Sequence, residues 1–213
     1  MTRWSPLASL ALLILGVGTA EVASAEPTTY TLNGGRLEVL VKYDRNALIA
    51  GHDHVLVSTG FSGTVTWDPD NVGACKVDIK MPVESLVVDP PGARQRRGLE
   101  GDTSDGDKKT IKKNALSKGQ LHSDEHPHIT YKATGCRAAG NGAVVTGTLT
   151  MRGASKPVET TMAITADGQS FGAKGAFTSS HTAFGFSPYT ALLGSLKNDD
   201  TLTFYIDVKG APQ

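Results

Sequence analysis

The sequence predicts an all-β domain of eight antiparallel strands with one short α-helix. Three observations lead to this prediction. First, apolar residues recur at every second position over most of the chain, which is the period of a strand with one buried face. Second, the breaks between these runs are short and rich in turn residues. Third, one polar stretch interrupts the pattern and is followed by a segment with helical spacing.

The alternating runs account for the eight strands in chain order. Each has a polar face and an apolar face, as in the run where Val77, Ile79 and Met81 alternate with charged residues. The strands are expected near residues 30–43, 54–67, 75–83, 128–136, 145–152, 158–164, 171–177 and 202–208.

Short turns join these strands, for example "AAGNG" at 138–142, "GASKP" at 153–157 and "ADGQ" at 166–169. Turns of this length connect antiparallel neighbours. Strands with a single apolar face must then close around a shared interior, either as a sandwich or as an up-and-down barrel. Periodicity does not choose between the two, although an eight-stranded barrel is wide enough to hold one small ligand.

The polar stretch covers residues 89–110, "DPPGARQRRGLEGDTSDGDKKT", which is too rich in Gly, Pro and charge to be a strand. We interpret it as a mobile loop. After it, Ile111, Ala115 and Leu116 have helical spacing, and Gly119 is a suitable C-cap, so a helix is expected from about 107 to 118. The helix and the loop are expected to lie at one end of the sheet and to gate it.

The N-terminus has the features of a secretory signal peptide, with Arg3, an apolar run from about 7 to 17, and Ala23-Ser24-Ala25 before Glu26. We expect cleavage after Ala25, which leaves 26–213 as one domain in the periplasm or outside the cell. The apolar run is shorter than the roughly 18 residues of a membrane-spanning helix. Lys and Arg together number 21, as do Asp and Glu, so no charge pattern indicates nucleic acid or stable membrane insertion.

Cys75 and Cys136 are expected to pair, because an exported protein reaches a compartment that permits disulfides. The bond would be worth about 4 kcal/mol on the chain-entropy account. Strict alternation places Cys75 on the apolar face and Cys136 on the polar face, unless Gly135 lies in a bulge.

Four segments resemble the YceI family of exported lipid-binding proteins: "FSGTVTWDPDN", "HPHITYKAT", "VTGTLTMRGASKPV" and "HTAFGFSP" followed by "LKNDDTLTFYIDV". They occur in the order of that family and cover nearly all of 26–213, and "GTLTMRGASKPV" is the most specific of them. The resemblance implies a lipocalin-like barrel with one helix, whose elongated apolar cavity holds a polyisoprenoid or another long-chain amphiphile. It therefore favours the barrel over the sandwich.

Candidate ligand-binding residues lie near the breaks in the alternating pattern, where large apolar side chains do not have to complete the core. Tyr131 and Tyr189 each join a hydroxyl to an apolar ring, which suits the region where the polar end of a lipid begins. The full set is Phe61, Leu86, Ile111, Leu116, Ile129, Tyr131, Phe184, Phe186 and Tyr189. Arg94, Arg96 and Arg97 in the loop are either solvated charges or a clamp for a ligand phosphate.

Five histidines form two clusters in the sequence, His52 with His54, and His122 with His126 and His128. Three imidazoles can complete a zinc shell, so a metal- or haem-binding protein is the alternative function. Surface positions are the simpler interpretation, because strict alternation turns His52 and His54 outward, although a kink at Ser58-Thr59-Gly60 would reverse the two faces. We therefore predict no metal and no cofactor.

The sequence contains no nucleophile elbow, no phosphate loop and no Cys beside a His, so we predict a protein without catalysis; a hydrolase acting on an amphiphile is the remaining rival. The predicted function is an exported carrier that shields a polyisoprenoid or similar lipid from water. The oligomeric state stays open, a homodimer included.

Overall fold

The structure is a computed structural model that describes Met1 and residues 26–213. The predicted signal peptide, 1–25, thus lies outside the described residues, apart from Met1. The strands of the described part are β1 (Thr28–Tyr43), β2 (His54–Ser58), β3 (Ser62–Trp67), β4 (Lys76–Pro82), β5 (Val87–Val88), β6 (His128–Ala139), β7 (Gly142–Met151), β8 (Ala154–Ala166), β9 (Phe171–Ser180), β10 (Thr190–Ala191) and β11 (Leu196–Pro212).

These strands form a closed antiparallel barrel. Going round the wall, the order is β1-β3-β4-β6-β7-β8-β9-β11, and β11 pairs with β1 to close the ring. The register of the closing pair runs from Tyr30 opposite Pro212 to Tyr43 opposite Asn198. The predicted eight-stranded barrel is confirmed, and the short strands β2, β5 and β10 extend the wall at one end.

The predicted strand over 54–67 is interrupted at residues 59–61, which lie outside any strand. β2 pairs with one part of β1 and β3 with another. The break reverses which face is inside: Val65 and Trp67 face the interior in β3, whereas Leu56 does so in β2. Strict alternation across this break was therefore the wrong assumption, and His54 shares the inward face with Leu56.

The predicted helix is present as α2 (Asp105–Leu116), about two residues earlier at each end than expected. Ser104 is its N-cap, since its hydroxyl accepts a hydrogen bond from the Asp107 backbone N–H at 3.1 Å. The chain leaves the helix at Ser117 rather than at Gly119. Ile111, Ala115 and Leu116 pack against the core, which fixes the helix at the end of the barrel.

The segment from Asp89 to Thr103 is not the solvated loop that its composition predicts. It contains a four-residue helix, α1 (Ala93–Arg96), and packs on the outer face of the wall. Ala93 is fully buried there against Leu40, Val55 and Val57. Sequence reasoning missed this because its contacts are mostly ion pairs and hydrogen bonds, which leave no apolar period.

One bulge turns Cys136 to the inside of the barrel, where Cys75 also lies. The pairing of β6 with β7 shifts between Ala133 and Gly135, so Thr134 is the extra residue. Ala133 faces the core before the shift and Cys136 after it. Cys75 and Cys136 are bonded, with their Cα atoms 6.1 Å apart. The bond joins the start of β4 to β6.

Candidate functional site

The barrel interior is not completely filled by side chains. A deep cavity of about 140 Å³ lies between the walls, and its surface is almost wholly apolar. Its lining includes Trp67 of β3, Ile79 of β4, Phe171 of β9 and Ile206 of β11. The disulfide sulphurs belong to residues of the same lining, Cys75 and Cys136.

A wider cavity of about 700 Å³ continues from the deep one towards α2. The two cavities adjoin, because five residues line both: Val39, Met81, Leu86, Ile129 and Phe204. The wider part, which we call the mouth, also has polar residues on its wall: His52, His54, Arg94, Glu100, Asn114 and Tyr189. The combined volume falls in the range of sites for small molecules.

Six of the nine predicted ligand-binding residues line this space: Leu86, Ile111, Ile129, Tyr131, Phe186 and Tyr189. The other three do not. Phe61 and Phe184 pack in filled parts of the core, 9% and 1% exposed, and Leu116 borders an open surface groove. The sequence did not single out the deep lining residues Trp67, Phe171 and Phe177, because they continue regular strand patterns and look like ordinary core.

Tyr131 is the most unusual of the lining residues. Its hydroxyl is buried, and no hydrogen-bond partner for it lies among the described atoms. Burial raises the pKa of this phenol to about 12, so the group stays a neutral donor. The ring fits here because residue 147 is glycine: a Cβ on Gly147 would lie 2.4 Å from the Tyr131 hydroxyl oxygen if a side chain were added.

Tyr189 ties the mouth to the helix. Its hydroxyl accepts a hydrogen bond from the Asn114 side-chain amide at 3.1 Å. Gln120, just after α2, donates its amide N–H to the Ser187 carbonyl oxygen at the same distance. The helix side of the mouth is thus held to the segment before β10, which contains Ser187 and Tyr189, by side-chain hydrogen bonds rather than by strand pairing.

The opposite side of the mouth is built around Asp89, whose side chain is fully buried. It accepts hydrogen bonds from the Val55 backbone N–H at 2.8 Å, from the Thr103 hydroxyl at 2.6 Å and from His54 Nδ1 at 2.8 Å. Burial alone would raise its pKa, but these hydrogen bonds outweigh burial and lower the pKa to about 2. Since the carboxylate only accepts, His54 carries its proton on Nδ1.

Arg94 completes this corner, and it is 8% exposed. Its guanidinium donates to the carbonyl oxygens of Asp53, Glu100 and Gly101 at 2.6–2.8 Å. Nη1 also lies 3.4 Å from Asp89 Oδ2. We call Asp89, His54, Thr103 and Arg94 the rim corner, because together they fasten the segment after β5 to β2.

Arg96 and Arg97 do not reach the mouth. They bind Glu38, which is 1% exposed on the outer face of β1, with Arg96 Nε at 3.0 Å and Arg97 Nε at 2.7 Å. Burial opposes ionisation of Glu38, but the two guanidinium groups outweigh it and hold its pKa below its usual value. Arg97 also lies over the Tyr205 ring at 3.4 Å. Of the three arginines considered as a phosphate clamp, the structure leaves Arg94 alone at the mouth.

Two loops with exposed apolar tips lie beside the mouth. Leu48 is 89% exposed and Leu193 is fully exposed, and Ile49 and Leu192 beside them are also exposed. The loops adjoin, because the Ile49 backbone N–H donates to the Ser195 carbonyl oxygen at 2.9 Å. One side of the mouth is therefore bordered by an exposed apolar surface.

The five histidines do not come together. His52 and His54 line the mouth, contrary to the outward direction that strict alternation predicted, because of the break at 59–61. In the part of the chain that the structure describes, the one group of His, Cys, Asp or Glu with metal-ligand spacing is His122, Glu125 and His126. His128 is not part of it.

Comparisons with known proteins agree with this architecture. A family profile for the YceI-like domain matches residues 45–209. The BcnA protein of Burkholderia cenocepacia aligns at a TM-score of 0.60 with 17% identity, over 82% of this chain and 94% of that one. A mutant of the Campylobacter jejuni YceI protein aligns at 0.56 with 17% identity, over 78% and 86%. No curated protein matches the chain significantly.

At this identity the aligned structures show a shared fold. Among the helices that the structure describes, none combines the length and apolar character that a membrane crossing requires.

Proposed function

Because this chain belongs to the YceI-like family and its barrel contains an apolar cavity that adjoins a wider mouth, we propose that it binds a long-chain amphiphile such as a polyisoprenoid lipid. The protein would act as an exported carrier, periplasmic or secreted, without catalysing a reaction. The observation that carries the proposal is the cavity itself, which narrows from a partly polar mouth to an apolar interior.

The polarity of the cavity supports one orientation of the proposed ligand. Burying apolar surface is favourable by roughly 25 cal/mol per Å², and the deep part offers apolar surface alone, so the hydrocarbon tail would lie there. A polar end group would stay at the mouth, where His52, His54 and Tyr189 lie. This arrangement avoids burying an unpaired polar group, which is costly.

The outside of the mouth supports the same proposal. A carrier takes its lipid from an apolar phase and gives it back to one. The exposed Leu48, Ile49, Leu192 and Leu193 present an apolar surface at the point where the lipid would pass.

Partial filling of the deep cavity tests the proposal. Ala173 lies on the lining of the deep cavity, and Ala176 on the same strand is exposed on the outside of the barrel. We expect Ala173→Phe to raise the dissociation constant for lipid by at least about tenfold, or 1.4 kcal/mol, and so to reduce the amount of lipid that co-purifies with the protein. Ala176→Phe adds the same ring outside and should change nothing.

The measurement is native mass spectrometry followed by solvent extraction of the purified protein, with circular dichroism to show that both variants fold. Equal lipid content in wild type and Ala173→Phe would contradict binding in the deep cavity. A wild-type protein without any extractable lipid that also fails to take up an added polyprenol would refute the carrier function altogether.

A further inference from the structure

The turn between α2 and β6 contains two histidines and a glutamate whose side chains meet. His122 Nδ1 lies 3.3 Å from Glu125 Oε2, and His126 Nε2 lies 3.9 Å from Glu125 Oε1. One ligand atom from each residue can be chosen so that all three lie within 4.8 Å of one another. We propose that His122, Glu125 and His126 bind a divalent transition-metal ion, with Zn²⁺ as the best match.

The spacing brings the three side chains to one side of a single turn. Residues at positions i, i+3 and i+4 of a helical turn are neighbours, and His122, Glu125 and His126 have this spacing. The turn is formed, since the backbone N–H groups of Glu125 and His126 donate to the His122 carbonyl oxygen at 3.1 and 2.8 Å. The ligands therefore do not have to be gathered from separate parts of the chain.

The surroundings hold the rings in place. His122 has a φ of 51°, a left-handed conformation that is uncommon outside glycine and clusters at functional positions. Its backbone N–H donates to Ser117, and a Cβ on Gly153 would lie 2.9 Å from the His126 ring. The two imidazole centroids are 5.7 Å apart at 86°. Both rings are half-buried, whereas the Glu125 side chain is 66% exposed and can adjust.

The distances fit zinc after a small adjustment. Zinc bonds to imidazole nitrogen and carboxylate oxygen are about 2.0–2.2 Å, so two ligands of a tetrahedral ion lie about 3.4 Å apart. The separations of 3.3 Å to Glu125 Oε2 and 3.9 Å to Glu125 Oε1 are close to this value, and a rotation of the exposed Glu125 carboxylate would bring one oxygen towards both rings. Imidazole with one carboxylate suits zinc and its transition-metal neighbours rather than calcium or magnesium, which prefer oxygen ligands alone. Three protein ligands leave a fourth position for water or another ligand.

Isothermal titration calorimetry tests the site: zinc chloride is titrated into the metal-free, untagged protein. We expect one saturable equivalent, which magnesium does not displace. Glu125→Gln and His126→Gln should each weaken zinc binding by at least about tenfold. His128→Gln, outside the cluster, should bind as the wild type does. Glu125 is exposed, so Glu125→Gln should keep the fold, and an unchanged urea midpoint checks this.

NMR signals of the histidine rings give a second measurement. Zinc binding at this site shifts only the signals of its own ligands, whereas a change in folding would also move those of other histidines. Zinc should shift the signals of His122 and His126 and leave those of His52 and His54 in place. The proposal is overturned if the wild type shows no saturable binding, if both glutamine variants bind zinc as tightly as the wild type, or if the shifted signals belong to the mouth histidines.

Discussion

Asp89→Asn removes the negative charge of the rim corner and keeps the shape of the side chain nearly unchanged. The side chain of Asp89 is fully buried and its carboxylate accepts hydrogen bonds from His54, Val55 and Thr103. Its backbone has a φ of 43°, which asparagine tolerates well, so the substitution adds little backbone strain. The amide replaces one acceptor by a donor and removes the negative charge. We expect a loss of about 3 kcal/mol in the free energy of unfolding at pH 7.

The pH dependence gives a sharper expectation. The pKa of Asp89 falls from its ordinary 3.8 to about 2 in the folded protein. Between these values the unfolded chain binds more protons, so the contribution of the ionised carboxylate is complete above about pH 4 and is lost as the pH falls towards 2. The size of this contribution is about 2 kcal/mol. The stability difference between wild type and Asp89→Asn should therefore shrink by about this amount between pH 5 and pH 2.

Urea unfolding at a series of pH values measures this difference, and groups common to both proteins cancel from it. Asp78→Asn is the matched control. Asp78 pairs with Lys132 at 2.8 Å, but both side chains are more than half exposed, so a change of less than about 1 kcal/mol is expected. A wild-type advantage over Asp89→Asn that stays constant from pH 5 to pH 2 would refute the assigned role of the carboxylate.

Three further predictions concern residues that line the two cavities. Reduction of the Cys75–Cys136 bond should lower the free energy of unfolding by about 4 kcal/mol, because the bond closes a loop of 61 residues; an unchanged urea midpoint after addition of reductant would contradict this. Tyr131→Phe should leave the free energy of unfolding unchanged or raise it by up to about 1 kcal/mol, since the lost hydroxyl is buried without a hydrogen bond in the described structure. Tyr189→Phe, which loses the bond from Asn114, should instead lower it by about 1 kcal/mol; a comparable loss for Tyr131→Phe would argue for a partner of its hydroxyl.

The strands could be predicted because their patterns are local. In β4, Val77, Ile79 and Met81 alternate with charged residues, and each strand with such a pattern was found near its expected place. The closure of the barrel could not be read from periodicity, because it depends on the pairing of β1 with β11 at opposite ends of the chain. The resemblance to the family supplied that step.

The candidate site was predictable only in its apolar part. Inward positions such as Ile129 follow from alternation, whereas the rim corner depends on Arg94 and Asp89 meeting residues of β2. Composition predicts that a charged segment is exposed to solvent, whether or not its side chains form ion pairs and hydrogen bonds in the folded protein. Alternation alone could not decide whether the strand breaks at 59–61, and such a break reverses the assignment of inside and outside for the residues on its other side, here His52 and His54.

Thr134 shows how a strand can accommodate one extra residue without changing which side chains face inward. Ala133 and Cys136 are three positions apart, so unbroken alternation would turn Cys136 to solvent and away from Cys75. The bulge places them opposite Gly147 and Val145, which are only two positions apart, and so keeps the sulphur of Cys136 inside. Deleting Thr134 would restore regular alternation with Cys136 still inward, so we expect the disulfide to tolerate the loss of this residue.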